Sequence, residues 1–334
     1  MNRLIYLSFA LHSVKKLKTL CLFRTTFVSG LNSIRNPRYF SASKQHNMRL
    51  VQFQCGGRMS VGAELGKGGD VVDFCAGDAS IPSNMKTFVE GGQQMLDAAK
   101  QVISSGKHVL KRETVTLRAP INNCDKVLCV GMNYREHCIE QNVPIPTEPI
   151  FFSKFASTIV ASGDDIIYPD VTEELDWEVE LVIVIGKNGK NIQESDAMDH
   201  VIGYTVAHDV SARDWQLKKN GGQWLLGKTM DTFCPVGPAI VTKEEISDPH
   251  NLGIRCRVNG ETRQNSNTNE LVFNTMQLIA FISRLLTLRA GDLILTGTPS
   301  GVGVFRKPKP IFLKRGDVVE CEIDEIGTIS NKVV

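Results

Sequence analysis

Asp176-Trp177-Glu178-Val179-Glu180-Leu181-Val182-Ile183-Val184-Ile185-Gly186 is the stretch from which both the fold and the chemistry are read. Its apolar run is dense in β-branched residues and stops at a glycine, which marks a buried strand. Side chains alternate across a strand, so Glu178 and Glu180 share a face, about 7 Å apart along it. Two carboxylates at the mouth of a buried strand repel each other and are costly to desolvate, so something positive must compensate them. A second apolar segment, Val201 to Ala207, continues through His208 to Asp209. If the two strands are neighbours, Glu178, Glu180 and Asp209 converge. Three hard oxygen ligands with no cysteine nearby suit Mg²⁺, Mn²⁺ or Ca²⁺ rather than Zn²⁺. The plainer reading stands beside it: Glu-x-Glu is common on strands, and the pair could simply face solvent and meet a Lys or Arg.

The chain as a whole is an ordinary globular protein, with 334 residues, 42% hydrophobic and 22% charged. Its formal charge of +2 hides an asymmetry, since the first acidic residue is Glu64. Seven of the 38 basic residues fall in 1–40, which leaves 31 basic against 36 acidic in the remainder. A folded body of that balance is a poor nucleic-acid binder. No apolar stretch approaches the roughly 20 residues needed to span a bilayer, so neither nucleic acid nor membrane is expected as a partner. The nine cysteines are odd in number and scattered without a C-x-x-C, which argues against a zinc ribbon or a disulfide framework and fits a reducing compartment.

Residues 1–40 read as an address. Leu4, Leu7, Leu11 and Val14 fall on one helical face, Lys15, Lys16, Lys18 and Arg24 add charge, and acids are absent. That composition is a mitochondrial transit peptide's, and Arg38-Tyr39-Phe40-Ser41 resembles a matrix-processing site. A secretory signal is the rival, with Leu17 to Val28 as its apolar core; the weakness of that core and the free cysteines count against it.

A small packing domain is expected over 48–118. It has short strands at Met48 to Phe53, Ser60 to Glu64 and Val71 to Phe74. A helix from Thr87 to Val102 buries Phe88, Met95, Ala98, Ala99 and Val102. From 120 to 334 the pattern is mainly β. Strands are expected at Lys126 to Gly131, Ile150 to Lys154 and Gly291 to Thr296, and a closing hairpin at Asp317 to Ile323 and Thr328 to Val333. Pro144, Pro146 and Pro149 exclude a long helix after Glu140. The clearest helix of this part is expected from Asn269 to Leu288.

Four features carry candidate chemistry. His137 and Glu140 are three apart, neighbours on a helical turn, and a carboxylate beside an imidazole fixes its tautomer and raises its basicity; a solvated pair on a loop is the plain alternative. Lys228 follows an apolar run and can be aimed at an anion. Arg213 and Gln216 come soon after Asp209, and the planar fork of Arg suits a carboxylate; surface ion pairs are the plain reading of all three. Gly297 to Gly303 lacks the Gly-Lys-Ser/Thr ending of a P-loop, yet its backbone N–H groups can face an anion, or it is only a tight turn.

The combination is more specific than any part. Gly131-x-Asn133-Tyr134-x-x-His137-x-x-Glu140, Trp177-Glu178-x-Glu180-Leu181, Asp209-Val210-Ser211-Ala212-Arg213-Asp214-x-Gln216, Lys228 and Thr296-Gly297-Thr298-Pro299-x-Gly301-Val302-Gly303 occur in this order. Together they resemble the fumarylacetoacetate hydrolase family over about 120–334, with the small N-terminal unit also matching. The resemblance implies an α+β fold, a mixed β-sandwich roll with a small N-terminal α+β domain, usually assembled as a homodimer. It implies Mg²⁺ or Mn²⁺ on Glu178, Glu180 and Asp209, and a His137–Glu140 dyad on a lid over 132–149. Lys228 falls beside the metal, and Arg213, Gln216 and Thr298 fall where the family contacts substrate. The implied substrate is a small 2-oxo acid. The first expectation is a mitochondrial oxaloacetate tautomerase; the alternative is a Mg²⁺-dependent C–C hydrolase or decarboxylase acting on acylpyruvates or oxaloacetate.

Overall fold

Residues 48–334 are described in the computed structural model, and the expected leader over 1–40 lies outside them. β1 (Arg49–Cys55), β2 (Arg58–Glu64) and β3 (Val71–Asp73) are followed by α1 (Phe74–Gly77), α2 (Met85–Glu90) and α3 (Gly92–Ser104). The single helix expected over 87–102 is thus two. Gly92 sits at φ +56°, and a helix does not continue through a left-handed residue. Next come β4 (Val109–Leu110), β5 (Thr116–Leu117), β6 (Val127–Gly131), α4 (Arg135–Glu140), β7 (Ile150–Lys154) and β8 (Ile159–Val160). The middle of the chain holds β9 (Leu175–Asp176), β10 (Val179–Ile185), β11 (Val201–His208), β12 (Ser211–Ala212), α5 (Leu225–Lys228) and β13 (Cys234–Thr242). β14 (Gly253–Val258), β15 (Glu261–Asn267), α6 (Thr275–Leu285), β16 (Leu293–Leu295), β17 (Val318–Ile323) and β18 (Gly327–Lys332) complete it.

The principal sheet runs β4-β3-β2-β1-β13-β11-β10-β16-β6-β7, with β5 on β1 and β8 on β13. It is mixed: β16–β6 and β13–β8 are parallel, and the other pairs are antiparallel. β1 hydrogen-bonds to β13, so the N-terminal strands continue the sheet that carries the acidic strand. A second sheet, β15-β14-β17-β18, lies over one face. The fold is α+β, a sandwich with helices on its flanks.

β10 is buried on both faces, which explains its unbroken apolar run. Val179, Leu181, Ile183 and Ile185 point into the sandwich with Ile254, Cys256, Val319, Cys321 and Ile323 of the second sheet and Leu278, Ile279 and Ile282 of α6. Val182 and Val184 point the other way, into a layer shared with Leu293, Leu295, Val236, Ile240, Phe88 and Val102. Glu178 and Glu180 continue this second row past the point where apolar cover ends.

Two further differences from the sequence reading have local causes. The helix expected from Asn269 starts at Thr275, where Asn274 and Gln277 form a reciprocal capping box. Residues 271–273 are extended instead: Leu271 bridges to Tyr134, and Val272 and Phe273 donate to Asn133. The β14–β15 hairpin was not anticipated, although its turn is Asn259-Gly260, with φ +53° and +79°, the two left-handed residues that a tight hairpin asks for.

Candidate metal and catalytic site

Antiparallel pairing of β10 with β11 places Val179 opposite His208 and Glu180 opposite Ala207. Beyond the ladder, Asp209 N donates to Glu178 O at 2.9 Å. This register draws the acidic side chains together: ligand-type oxygens of Glu178, Glu180 and Asp209 all lie within 4.8 Å of one another, on three buried residues.

Each carboxylate has a different electrostatic setting. Lys228 Nζ bridges Glu178 Oε2 at 2.8 Å and Asp209 Oδ2 at 2.9 Å. Arg213 Nη2 approaches Glu178 Oε1 at 2.7 Å as an ion pair outside hydrogen-bond alignment. Lys154 Nζ donates to Asp209 Oδ1 at 2.6 Å. Glu180 has no ion-pair partner among the described residues; its Oε2 accepts from Gly297 N at 2.6 Å. The acidities diverge accordingly. Burial pushes Glu178 up most strongly, but Lys228 and then Arg213 outweigh it and hold the carboxyl below its ordinary value. Burial, then Asp209 and Glu178, push Glu180 well above its ordinary value. A third buried carboxylate without a cation is the observation that fits a divalent ion, and an all-oxygen donor set fits a hard one.

His137 sits in the single short helix α4, which ends at Glu140 and leaves through Asn142 at φ +55° before the prolines. His137 Nδ1 lies 2.8 Å from Glu140 Oε2, and Glu140 Oε1 accepts from Gly301 N at 2.9 Å. A carboxylate on Nδ1 sets that nitrogen as the N–H, leaving the lone pair on Nε2. Gln141 Nε2 lies 2.8 Å from that atom. The imidazole is 6% exposed.

The glycine-rich loop does face anions, and they belong to the protein itself. Gly297 N goes to Glu180, Gly301 N to Glu140, and Gly303 N and Val304 N to Asp176 at 2.7 and 3.0 Å. Gly297 needs to be glycine: at φ +99° a Cβ would come 2.9 Å from both Asn133 Cβ and Val130 O. Arg213 is clamped from behind, with Nε on Asp176 Oδ2 and Nη1 on Gln216 Oε1, both at 2.8 Å. Gln216 therefore keeps its amide hydrogens for a ligand. Thr298 Oγ1 donates to Val179 O and accepts from Gln264, so its hydroxyl proton is already engaged.

His137, Glu178, Glu180, Arg213, Gln216, Lys228 and Thr298 line one cavity of about 40 Å³, with Asp209 beneath it and Glu140 behind His137. Trp224 closes one wall: its ring lies edge-on to Phe152, 5.4 Å between centroids, and so near the backbone that a Cβ on Gly131 would sit 2.7 Å from it.

Four residues of this arrangement were missed in the sequence. Lys154 ends an apolar strand, the same signal that singles out Lys228. Asp176 accepts four bonds that tie Arg213, Trp177 and the loop together. Gln264 joins the second sheet to the site by accepting from Val179 N and donating to Thr298; nothing local in the sequence marks it. His208 is buried with neither ring nitrogen hydrogen-bonded, and burial followed by Lys154 pushes its pKa down to about 3, so it is a neutral packing group.

Comparison with known proteins identifies the family. The family profile for the fumarylacetoacetate (FAA) hydrolase C-terminal region matches residues 126–334. Oxaloacetate tautomerase fahd2, mitochondrial, of Xenopus laevis is 62% identical over 299 residues, covering 89% of this chain and 93% of its own. Oxaloacetate tautomerase FAHD2A, mitochondrial, of Homo sapiens is 58% identical over 290 residues, covering 86% and 92%. Among solved structures, fumarylacetoacetate hydrolase from Exiguobacterium antarcticum superposes with a TM-score of 0.72 at 34% identity over 86% of this chain and 99% of that one. Maleylpyruvate hydrolase from Sphingobium sp. SYK-6, in complex with manganese (II) ion and pyruvate, gives 0.70 at 30% identity over 86% and 99%. The chain belongs to the fumarylacetoacetate hydrolase family.

Proposed function

We propose that this protein is a mitochondrial oxaloacetate tautomerase, converting the enol to the keto form with a divalent cation, Mg²⁺ or Mn²⁺, on Glu178, Glu180 and Asp209. The observation that carries the reading is the buried acidic trio sharing one small cavity with an oriented imidazole. Relatives that bear this name at 58–62% identity, and that are called mitochondrial, support the substrate and the compartment.

The bound ion supplies Lewis-acid stabilisation of negative charge on the substrate's oxygens. The protein's own side chains do the rest. Lys228 adds a fixed positive charge at the same place, held between Glu178 and Asp209. Gln216 offers amide hydrogens to the 2-oxo-acid end, and the Arg213 guanidinium adds positive charge there. His137 moves the proton: Nε2 takes it from the C2 hydroxyl of the enol and delivers one to C3, so the C2=C3 double bond becomes C2=O and a CH₂. Glu140 steadies the imidazolium that exists between the two transfers, and Gly301 N keeps Glu140 in place. The carboxylates of Glu140, Glu178, Glu180, Asp209 and Asp176 exceed Lys154, Lys228 and Arg213 by two charges, which a divalent ion would balance.

In this arrangement 48–118 serves as a packing unit and 120–334 carries the chemistry, and the protein works as a homodimer. Exposed Phe155, Ile167 and Val171 are apolar surface suited to a subunit contact, which light scattering reads directly. The deciding experiment follows enol-oxaloacetate absorbance with purified protein, with and without EDTA, alongside a pyruvate assay. Enol decay above the uncatalysed rate, lost with EDTA and without pyruvate, is the expected result. Pyruvate release would replace the tautomerase with a C–C lyase or hydrolase, and no acceleration at all would overturn the proposal.

A further inference from the structure

We infer that Gln141 selects for a dicarboxylate: its amide, which covers the proton-carrying nitrogen of His137, turns to the far carboxylate of the substrate on binding. The inference rests on the tautomerase reading and deepens it.

Three observations lead there. Both ring nitrogens of His137 are taken, Nδ1 by Glu140 Oε2 and Nε2 by Gln141 Nε2, each at 2.8 Å. No lone pair is free for an enol proton until Gln141 moves, because Glu140 is what sets the tautomer. Second, the cavity, about 40 Å³, is small and lined largely by fixed groups. Glu178, Arg213, Lys228 and Thr298 are held by buried bonds and stay where they are. Gln141 is half-buried at the C-terminal end of α4, and its amide has only His137 and the Met132 sulfur, at 3.1 Å, as partners. It is the lining group that gives way most easily.

Third, the cations of the cavity wall are committed. Arg213 serves Asp176 and Glu178, and Lys228 serves Glu178 and Asp209. With the 2-oxo-acid end on the acidic trio, a carboxylate at C4 extends toward the lid. Arg213 and Lys228 are the only Lys or Arg side chains among the described residues that line the cavity. The donor that remains is the amide of Gln141, four residues from the base on one helical face. A monocarboxylate enol offers it no acceptor.

The test separates the two ends of the substrate. KM and kcat are measured for enol-oxaloacetate, and the inhibition constant for oxalate, which carries only the chelating end. Gln141→Ala is expected to raise KM about tenfold or more while kcat and the oxalate constant change by less than about threefold. Gln141→Glu, isosteric but repelling, is expected to raise KM further. Gln141→Asn, one methylene shorter, carries the same test if the alanine variant does not fold. A KM unchanged in Gln141→Ala, or one rising in step with the oxalate constant, overturns this inference alone. Wild-type protein inactive on enol-oxaloacetate overturns it together with the reading beneath it.

Discussion

Lys154 Nζ donates to Asp209 Oδ1 at 2.6 Å and to Val210 O at 3.1 Å, and neither side chain of the pair is exposed. The ring of Phe233 lies 5.8 Å beneath the ammonium. Removing Lys154 leaves buried Asp209 with Lys228 alone, a cation it shares with Glu178. Lys154→Met is therefore expected to lose about 3 kcal/mol of stability, or roughly 5 °C in Tm for a chain of this size. A divalent ion supplies the missing charge, so saturating Mn²⁺ should restore more Tm in the variant than in the wild type. Equal losses with and without the ion, in paired thermal melts, would contradict this account of the acidic trio.

The donor set is tested by charge removal without change of shape. Asp209→Asn and Glu180→Gln each delete one anionic ligand and keep the volume. Disturbing even the groups around a metal's ligands typically costs about 10–100-fold in affinity, so each ligand substitution should cost at least that. Paramagnetic Mn²⁺ titration measures it, with the enol-decay rate falling in parallel. Tight Mn²⁺ binding retained by both variants would place the ion elsewhere.

His137→Ala should separate chemistry from metal binding. Turnover is expected to fall about 10²–10⁴-fold, the usual worth of a positioned acid–base group, with Mn²⁺ affinity nearly unchanged because His137 bonds to Glu140 and Gln141 rather than to the three carboxylates. Glu140→Gln keeps a hydrogen-bonding side chain but loses the charge, and should give a smaller drop. Turnover equal to wild type in His137→Ala would remove the imidazole from the mechanism.

His250 predicts how stability depends on acid. Thr275 N donates to its Nε2 at 3.2 Å, which requires the neutral ring. Burial holds its pKa below the ordinary 6.5, outweighing nearby Asp248. In the unfolded chain it protonates at its ordinary value. As pH falls below about 6.5 the unfolded state takes up a proton that the folded state refuses, so stability drops; above that it is flat. His250→Gln should shallow the slope of ΔG on the acid side in urea melts from pH 7 to 5. Buried His208 contributes a slope of the same sign that the variant keeps. An unchanged slope would remove His250 from the acid response.

The central strand and its neighbours were legible because burial on both faces leaves a dense apolar run, and period-two alternation then dictates that Glu178 and Glu180 point together. His137–Glu140 was legible because helical neighbours are set by spacing alone. Less could be seen where partners come from far along the chain. Asp176 is an acid like any other until Gly303 and Arg213 arrive on it, and Gln264 acts from another sheet, 85 residues from the amide it accepts. The helix expected from Asn269 failed for a similar reason. Its first turn was replaced by long-range bonds to Asn133, which periodicity does not register. Lys154 differs, since a lysine closing an apolar strand carried the same signal as Lys228.

Trp224 seals the wall where β6 hands over to α4, against Gly131 and edge-on to Phe152. Indole emission depends on the polarity and quenchers around it, so this ring is a built-in optical probe of the doorway. Trp177, deep in the sandwich, and Trp215, whose Nε1 donates to Val171 O, do not line the cavity. With those two replaced by Phe, the fluorescence of the third would time the arrival and departure of small acids in a rapid-mixing instrument, with no dye attached.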